Sequence, residues 1–194
     1  LDSLNKDARA ILAHVSDNHL FVEVKKDYAK DMVIGFIKLN GTTIGCVANQ
    51  VTDGGDSLST QGAYIAAEFV TFLDAFNIPV VSLTNVKGYA AVVNQEKTIA
   101  KAVAKLTYAF ANATVPKVNL ITGDAFGTAY LAMNSKSIGA DIEYAWPTAR
   151  VGMMDPESAV KIIYSEEIKT SEDKKAFLAS KKDEYNALQS SALS

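Results

Sequence analysis

Apolar positions along the chain fall into two rhythms. In "NKDARAILAHVSD", Ala8, Ile11, Leu12 and Val15 recur at helical spacing and predict a short opening helix. "MVIGFIKL" and "TIGCVANQ" are strand-like runs. The "NGT" between them predicts a hairpin, because a type I′ turn needs positive φ at both central residues. "TQGAYIAAEFVTFLDAFN" is amphipathic, with Ile65, Phe69, Phe72, Leu73 and Phe76 in one stripe. "IPVVSLTNV" is a compact apolar run of the kind buried on both faces of a sheet. "EKTIAKAVAKLTYAFANAT" predicts a long helix, with Ile99, Val103, Leu106 and Phe110 on one side and Pro116 as its stop.

"KVNLITG" is the next strand, and a helix is expected from about Phe126 in "GDAFGTAYLAMNSK". "IEYAWPTARVGMM" supplies two more short strands. "DPESAVKIIY" opens a helix, with Asp155 as N-cap and Pro156 at its first position. "VTDGGDSLST" and "KGYAAVVNQ" read as loops. The charged tail, "EEIKTSEDKKAFLASKKDEYNALQSSALS", reads as helical with few positions to bury, so it is expected to project or to pack on a partner. A hairpin followed by repeated strand and helix predicts an α/β domain over residues 1–194, with a largely parallel core sheet.

Composition narrows the function classes. The 194 residues suffice for a full core, and a net charge of −3 offers no reason to expect a nucleic-acid or anionic-membrane partner. No apolar run approaches the roughly 18 residues of a membrane span. "LDSLNKDARA" has no apolar core behind a basic end, so no secretory signal is expected, and "NGT" reads as a turn rather than a glycosylation site. The chain starts without methionine, which suggests a portion of something longer. The lone Cys46 lies in an apolar strand pattern and is expected to be a small core residue, in keeping with a reducing, cytoplasmic location.

Side-chain catalysts are scarce. His14 and His19 are expected at the surface or in a cap. Asp53 and Asp56 lack the distal glutamate of a calcium loop and read as solvated. None of the common nucleophile, zinc or phosphate-loop motifs occurs, and the carboxylates are scattered. Backbone groups remain. "LTNVKGYA" and "LITGDAFGTAY" each end a strand near the start of a helix, where the first N–H groups lack internal partners and favour anions. Two such groups aimed at one oxygen make an oxyanion hole. Small residues at Gly127 and Ala129 suit that role, and they suit plain helix–sheet packing equally well.

Four blocks change the balance: "GFIKLNGTTIGCVANQ", "FLDAFNIPVVSLTNVKGY", "AKLTYAFANATVPKVNLITGDAFGTAYLAMNSK" and "YAWPTARVGMM". In order, over about residues 5–190, the chain resembles the C-terminal half of biotin-dependent acyl-CoA carboxyltransferases. Propionyl-CoA carboxylase β subunits and methylmalonyl-CoA decarboxylase α subunits belong to that group. The resemblance implies a crotonase-like fold of ββα units in a spiral. It also implies an active site shared with an N-terminal domain or subunit that holds the coenzyme A thioester. The implied cofactor is biotin on a carrier protein. Homo-oligomerisation and a membrane decarboxylase subunit are further implied partners.

In that family, negative charge on the ureido oxygen of biotin is met by backbone amides from the stretch matching "AFGTAY". This assigns the oxyanion hole to the N–H groups of Thr128 and Ala129, and biotin binding to Gly88, Tyr89, Phe126 and Gly127. Leu131 falls where propionyl-type enzymes tend to have Asp, a position tied to acyl-group choice. The chain departs from the family pattern at several points. It has Gly127-Thr128-Ala129 for Gly-Gly-Ala, Lys87 for a proline, "AAVVN" in place of a downstream Pro-Gly, and Asp155 and Ser158 at two glycine positions. Two other readings stay open: a non-catalytic assembly domain of a carboxyltransferase complex, and a stand-alone crotonase-type acyl-CoA enzyme.

Overall fold

Alternation on a strand sends successive side chains to opposite faces, and here both faces are buried. The computed structural model describes residues 7–51, 55–171 and 173–192, apart from the side chain of residue 189; Asp53 of the weighed calcium pair lies outside them. The elements run α1 (Ala8–Val15), β1 (Val22–Val24), β2 (Met32–Leu39), β3 (Thr42–Asn49), β4 (Ser57–Leu58), α2 (Thr60–Ala75), β5 (Val80–Val86) and β6 (Gly88–Tyr89). They continue with α3 (Val93–Asn112), β7 (Lys117–Phe126), α4 (Gly127–Ala132), β8 (Ile142–Ala145), β9 (Arg150–Gly152), α5 (Pro156–Ile163), α6 (Ser165–Thr170) and α7 (Lys174–Tyr185).

The main sheet has the order β1-β2-β3-β5-β7-β8, with β9 also paired to β7. β1, β2 and β3 are antiparallel, and β3, β5, β7, β8 and β9 join in parallel. The expected hairpin forms, with Leu39 opposite Thr42 and positive φ at Asn40 (49°) and Gly41 (76°). One face of the sheet carries Ile34 and Val47 against α2, α3 and α4. The other carries Val33 and Cys46 against Ile11 and Leu12 of α1. Ser59 caps α2 by accepting from the Gly62 N–H at 2.9 Å, and Asp31 holds that serine in turn.

The structure differs from several expectations. Val15 is exposed, because α1 ends there and Ser16 turns back to accept from the Lys38 N–H. Phe72 and Phe76 stay exposed; their rings meet tilted by 37°, 4.6 Å between centroids, beyond the buried Phe69 and Leu73. The loops around residues 57 and 88 contain β4 and β6, which pair in parallel as a separate two-stranded sheet. The tail returns to the domain: the Ala192 N–H donates to the Ala149 carbonyl at 3.1 Å, and Asn186 reaches Arg150. His14 and His19 are exposed as expected.

Candidate functional site

β7 delivers the chain to the site. At its far end Ala125 and Phe126 pair with Val151 and Gly152 of β9, and on the other side Ala125 lies opposite Val86. The β5–β7 register shifts between Thr84 and Val86, so that Asn85 stands against residues 122–124 of β7. Asn85 there receives the Asp124 N–H at 2.9 Å and donates its own N–H to Asn49 at 3.1 Å. Gly127 then takes a φ of +61°, a conformation that L side chains rarely adopt. A Cβ there would also sit 3.1 Å from the Met153 carbonyl oxygen. The turn therefore requires glycine for two independent reasons.

α4 begins immediately, and no side chain caps it. Its first amides, including those of Thr128 and Ala129, have no intrahelical acceptor. The helix is six residues long, so the anion preference expected at its start rests on these amides themselves rather than on a long dipole. Ala129 is buried and its methyl faces the core, whereas the Thr128 side chain is exposed.

A groove of about 670 Å³ opens over this point. Gly88, Tyr89, Phe126, Gly127, Thr128, Ala129 and Leu131, all seven residues assigned from sequence, line it. Nothing lies within 4 Å of where a Gly88 side chain would begin, so that wall is open to a ligand. Sequence reasoning missed the opposite wall, formed by Val151–Met154, Asp155, Ser158 and Ile162. Its presence depends on β9 pairing beside β7, and no local pattern announces a non-local pairing of three residues.

Two of the departures from the family pattern, Lys87 and Asp155, have local explanations. The Lys87 N–H donates to the Asp56 carbonyl at 2.7 Å, a bond the expected proline could not make. Its ammonium lies 2.6 Å from the Asp56 carboxylate and 3.9 Å from that of Asp124, which Arg150 grips with two nitrogens at 2.7 and 2.9 Å. Four alternating charges thus tie together the segments that carry β4, β6, β7 and β9. Asp155, at a family glycine position, caps α5 by accepting from the N–H groups of Glu157 and Ser158, both at 3.1 Å. Burial pushes its carboxyl up, but hydrogen bonds from Ser158 and Glu157, with the charge of Lys87, outweigh this and hold it low.

Asp56 titrates below its ordinary 3.8, first through the hydrogen bond from Lys87. The pairing therefore contributes fully above that ordinary value and is lost as pH falls through the lowered one. Both partners are about two-fifths exposed, so screening keeps the contribution small. Lys87→Met is expected to raise amide exchange across residues 87–92 by roughly threefold, the scale of a screened surface pair. Molar salt should do the same to the wild type. An unchanged exchange rate in both experiments would show that the ion row does not hold the groove wall.

Comparison with known proteins follows the same lines. The model of the carboxyl transferase domain matches residues 3–193. A putative propionyl-CoA carboxylase beta chain of Bacillus subtilis is 43% identical over 180 residues, covering 92% of this chain and 36% of that protein. The methylmalonyl-CoA decarboxylase subunit alpha of Propionigenium modestum is 40% identical over 176 residues, covering 90% of this chain and 34% of the relative. Among solved structures, transcarboxylase 12S, described as a hexamer with methylmalonyl-coenzyme A and methylmalonic acid bound, superposes with a TM-score of 0.90. It is 39% identical, over 96% of this chain and 36% of that one. The beta subunit of Pseudomonas aeruginosa geranyl-CoA carboxylase gives 0.83 at 26% identity, over 96% and 36%. The fold is thus α/β and crotonase-like, and the chain spans about a third of the length of these curated relatives.

Proposed function

The chain belongs to the carboxyl transferase domain family, and from that premise we propose that residues 1–194 form the biotin side of a carboxyltransferase, moving a carboxyl group between biotin on a carrier protein and an acyl-CoA thioester. One observation carries the proposal: the seven residues assigned from sequence, which come from two separate loops, line one groove. The groove suits biotin. It is largely apolar, it is open at Gly88, and it is bordered by helix-start amides that have no intrahelical acceptor and match a carbonyl oxygen.

When bound, biotin supplies the ureido nitrogen that carries the carboxyl group. The chain's own work is to bind, orient and stabilise. The Thr128 and Ala129 N–H groups donate to the oxygen on which negative charge develops, and Gly127 fixes the turn that presents them. Gly88, Tyr89 and the backbone of Phe126 form the floor and one wall. Leu131, exposed at the rim, is the residue proposed to touch the acyl side. The charged groups lining the groove, Lys87 and Asp155, are both engaged, in the ion row and in the α5 cap respectively. Electrostatic stabilisation by backbone donors therefore carries this reading, rather than side-chain acid–base chemistry.

The portion that holds the thioester, the biotin carrier, and assembly into an oligomer all form part of this proposal. The possible membrane subunit does as well; among the described residues no helix is long and apolar enough to cross a membrane. The test is transfer of label from radiolabelled methylmalonyl-CoA to free biotin by the complete enzyme that contains this chain. Label should appear on biotin and vanish when avidin sequesters it. Acyl-CoA turnover indifferent to biotin would point instead to a stand-alone crotonase-type enzyme.

A further inference from the structure

α4 raises a mechanical question. Isolated helices shorter than about 12 residues are marginal in water, and this one has six residues and no side-chain cap. Both of its ends are irregular: it starts from Gly127 at φ +61° and leaves through Asn134 at φ +58°. Its place must come from what it touches. Ala129, Ala132 and Met133 pack into the core. Apolar contacts hold a short helix down, but they define its rotation poorly, since small methyl groups tolerate sliding.

A polar group on β8 also bonds this helix. Glu143 of β8 accepts from the Tyr130 hydroxyl at 2.7 Å, from the Asn119 side-chain amide at 2.8 Å and from the Lys136 N–H at 3.2 Å. Tyr130 lies within α4, directly after Ala129, and Lys136 lies just beyond it. The carboxylate therefore grips the helix itself and the chain that follows it. Asn119 on β7 is fully buried, and its carbonyl oxygen accepts from Ser82 at 2.9 Å and Thr84 at 2.8 Å. Two hydroxyl donors on its oxygen fix the amide's orientation, with the nitrogen turned toward Glu143. Asn134 closes the chain by donating to Ser82 at 3.0 Å. Tyr130, Lys136 and Asn134 tie α4 and the residues just after it to a polar set that itself links β5, β7 and β8.

We propose that Glu143 is a positioning residue that sets the rotation of α4, and through Tyr130 the direction of the Thr128 and Ala129 amides; this rests on the biotin-site reading above. The Tyr130 hydroxyl is suited to the role. Burial first, and then the hydrogen bond to Glu143, hold it above the ordinary tyrosine value, so it stays a donor at working pH. Partly satisfied buried networks are costly, so the carboxylate cannot be removed without consequence.

The test uses Glu143→Ala, Glu143→Gln and Tyr130→Phe in the complete enzyme. Two measurements are made: amide exchange of residues 127–136 without substrate, and transfer from radiolabelled methylmalonyl-CoA to free biotin. Glu143→Ala should raise exchange at 127–136 about tenfold, the scale of losing one half-buried hydrogen-bonded set, and leave β5 protected. Its kcat should fall about tenfold while the KM for biotin moves less than threefold, because misdirected amides weaken the transition state more than the ground state. Glu143→Gln keeps an oxygen for Asn119 and Lys136 but turns a donor toward Tyr130, so it should recover most of the exchange protection and only part of kcat, whereas Tyr130→Phe should show the kcat loss with a smaller exchange change. Unchanged exchange in Glu143→Ala overturns the clamp whatever the activity. Raised exchange with kcat unchanged overturns the link from clamp to amides. A wild-type enzyme that moves nothing to biotin overturns the functional reading, and the exchange result then still decides the clamp.

Discussion

Replacing Ala129 with proline will cut transfer to biotin by about two to three orders of magnitude, the effect typical of losing one oxyanion-hole donor. The substitution deletes one N–H and leaves the rest of the groove's chemistry alone. Proline is tolerated in the first turn of a helix, where its missing N–H has no intrahelical partner. Two side effects need a control. The ring adds bulk where Ala129 is only 1% exposed, and a proline disfavours the helical conformation of the residue before it. Thr128→Pro places the ring on an exposed residue and removes the other amide. Both variants should lose transfer while denaturant unfolding shows a folded chain. A folded variant with normal transfer would remove the two amides from the mechanism.

Gly45→Val will cost about 3 kcal/mol, at the upper end for overpacking a core. Gly45 lies in β3, between β2 and β5, and a Cβ there would overlap the δ-carbons of Leu73. Leu73 is fully buried on α2, so moving its side chain aside presses on packed neighbours. At roughly 2–4 °C per kcal/mol for a chain of this size, Tm should fall by about 6–12 °C. Adding Leu73→Ala should restore part of the loss, because the two residues share one space. If Gly45→Val alone loses less than about 1 kcal/mol, the helix approaches the sheet less closely than described.

The legibility of this molecule varied with the range of the interactions involved. The β2–β3 hairpin was readable because Asn40-Gly41 encodes its turn locally, and α2, β5, α3 and β7 because ten or more residues, or a dense apolar run, carry each pattern. Gly45 stood in plain sight within a strand, yet its reason is Leu73, twenty-eight positions away. β4 and β6 have two residues each, too few for any period, and exist through pairing with each other. Phe72 and Phe76 satisfied the helical period, but period does not say where the sheet beneath ends. At the site, spacing could point only to two backbone loops. The seven named residues came from family resemblance, and they do share a groove. The wall from Val151 to Ile162 and the charges of Asp124 and Arg150 were not readable, because β9 meets β7 only after the chain has turned through β8.

Cys46 sits in β3, wholly buried, with its thiol pushed up to about 12 chiefly by burial. It is also the chain's single cysteine. In the native state it is neither reachable nor ionised, so a maleimide or disulfide reagent can react only in molecules whose sheet has opened. The rate of covalent tagging, divided by that of an unfolded control, is then a direct count of open molecules. No introduced label is required, and the residue lies beside Gly45, where the largest loss of stability is expected. Tagging of this one native sulfur atom therefore reports how much of this domain is folded.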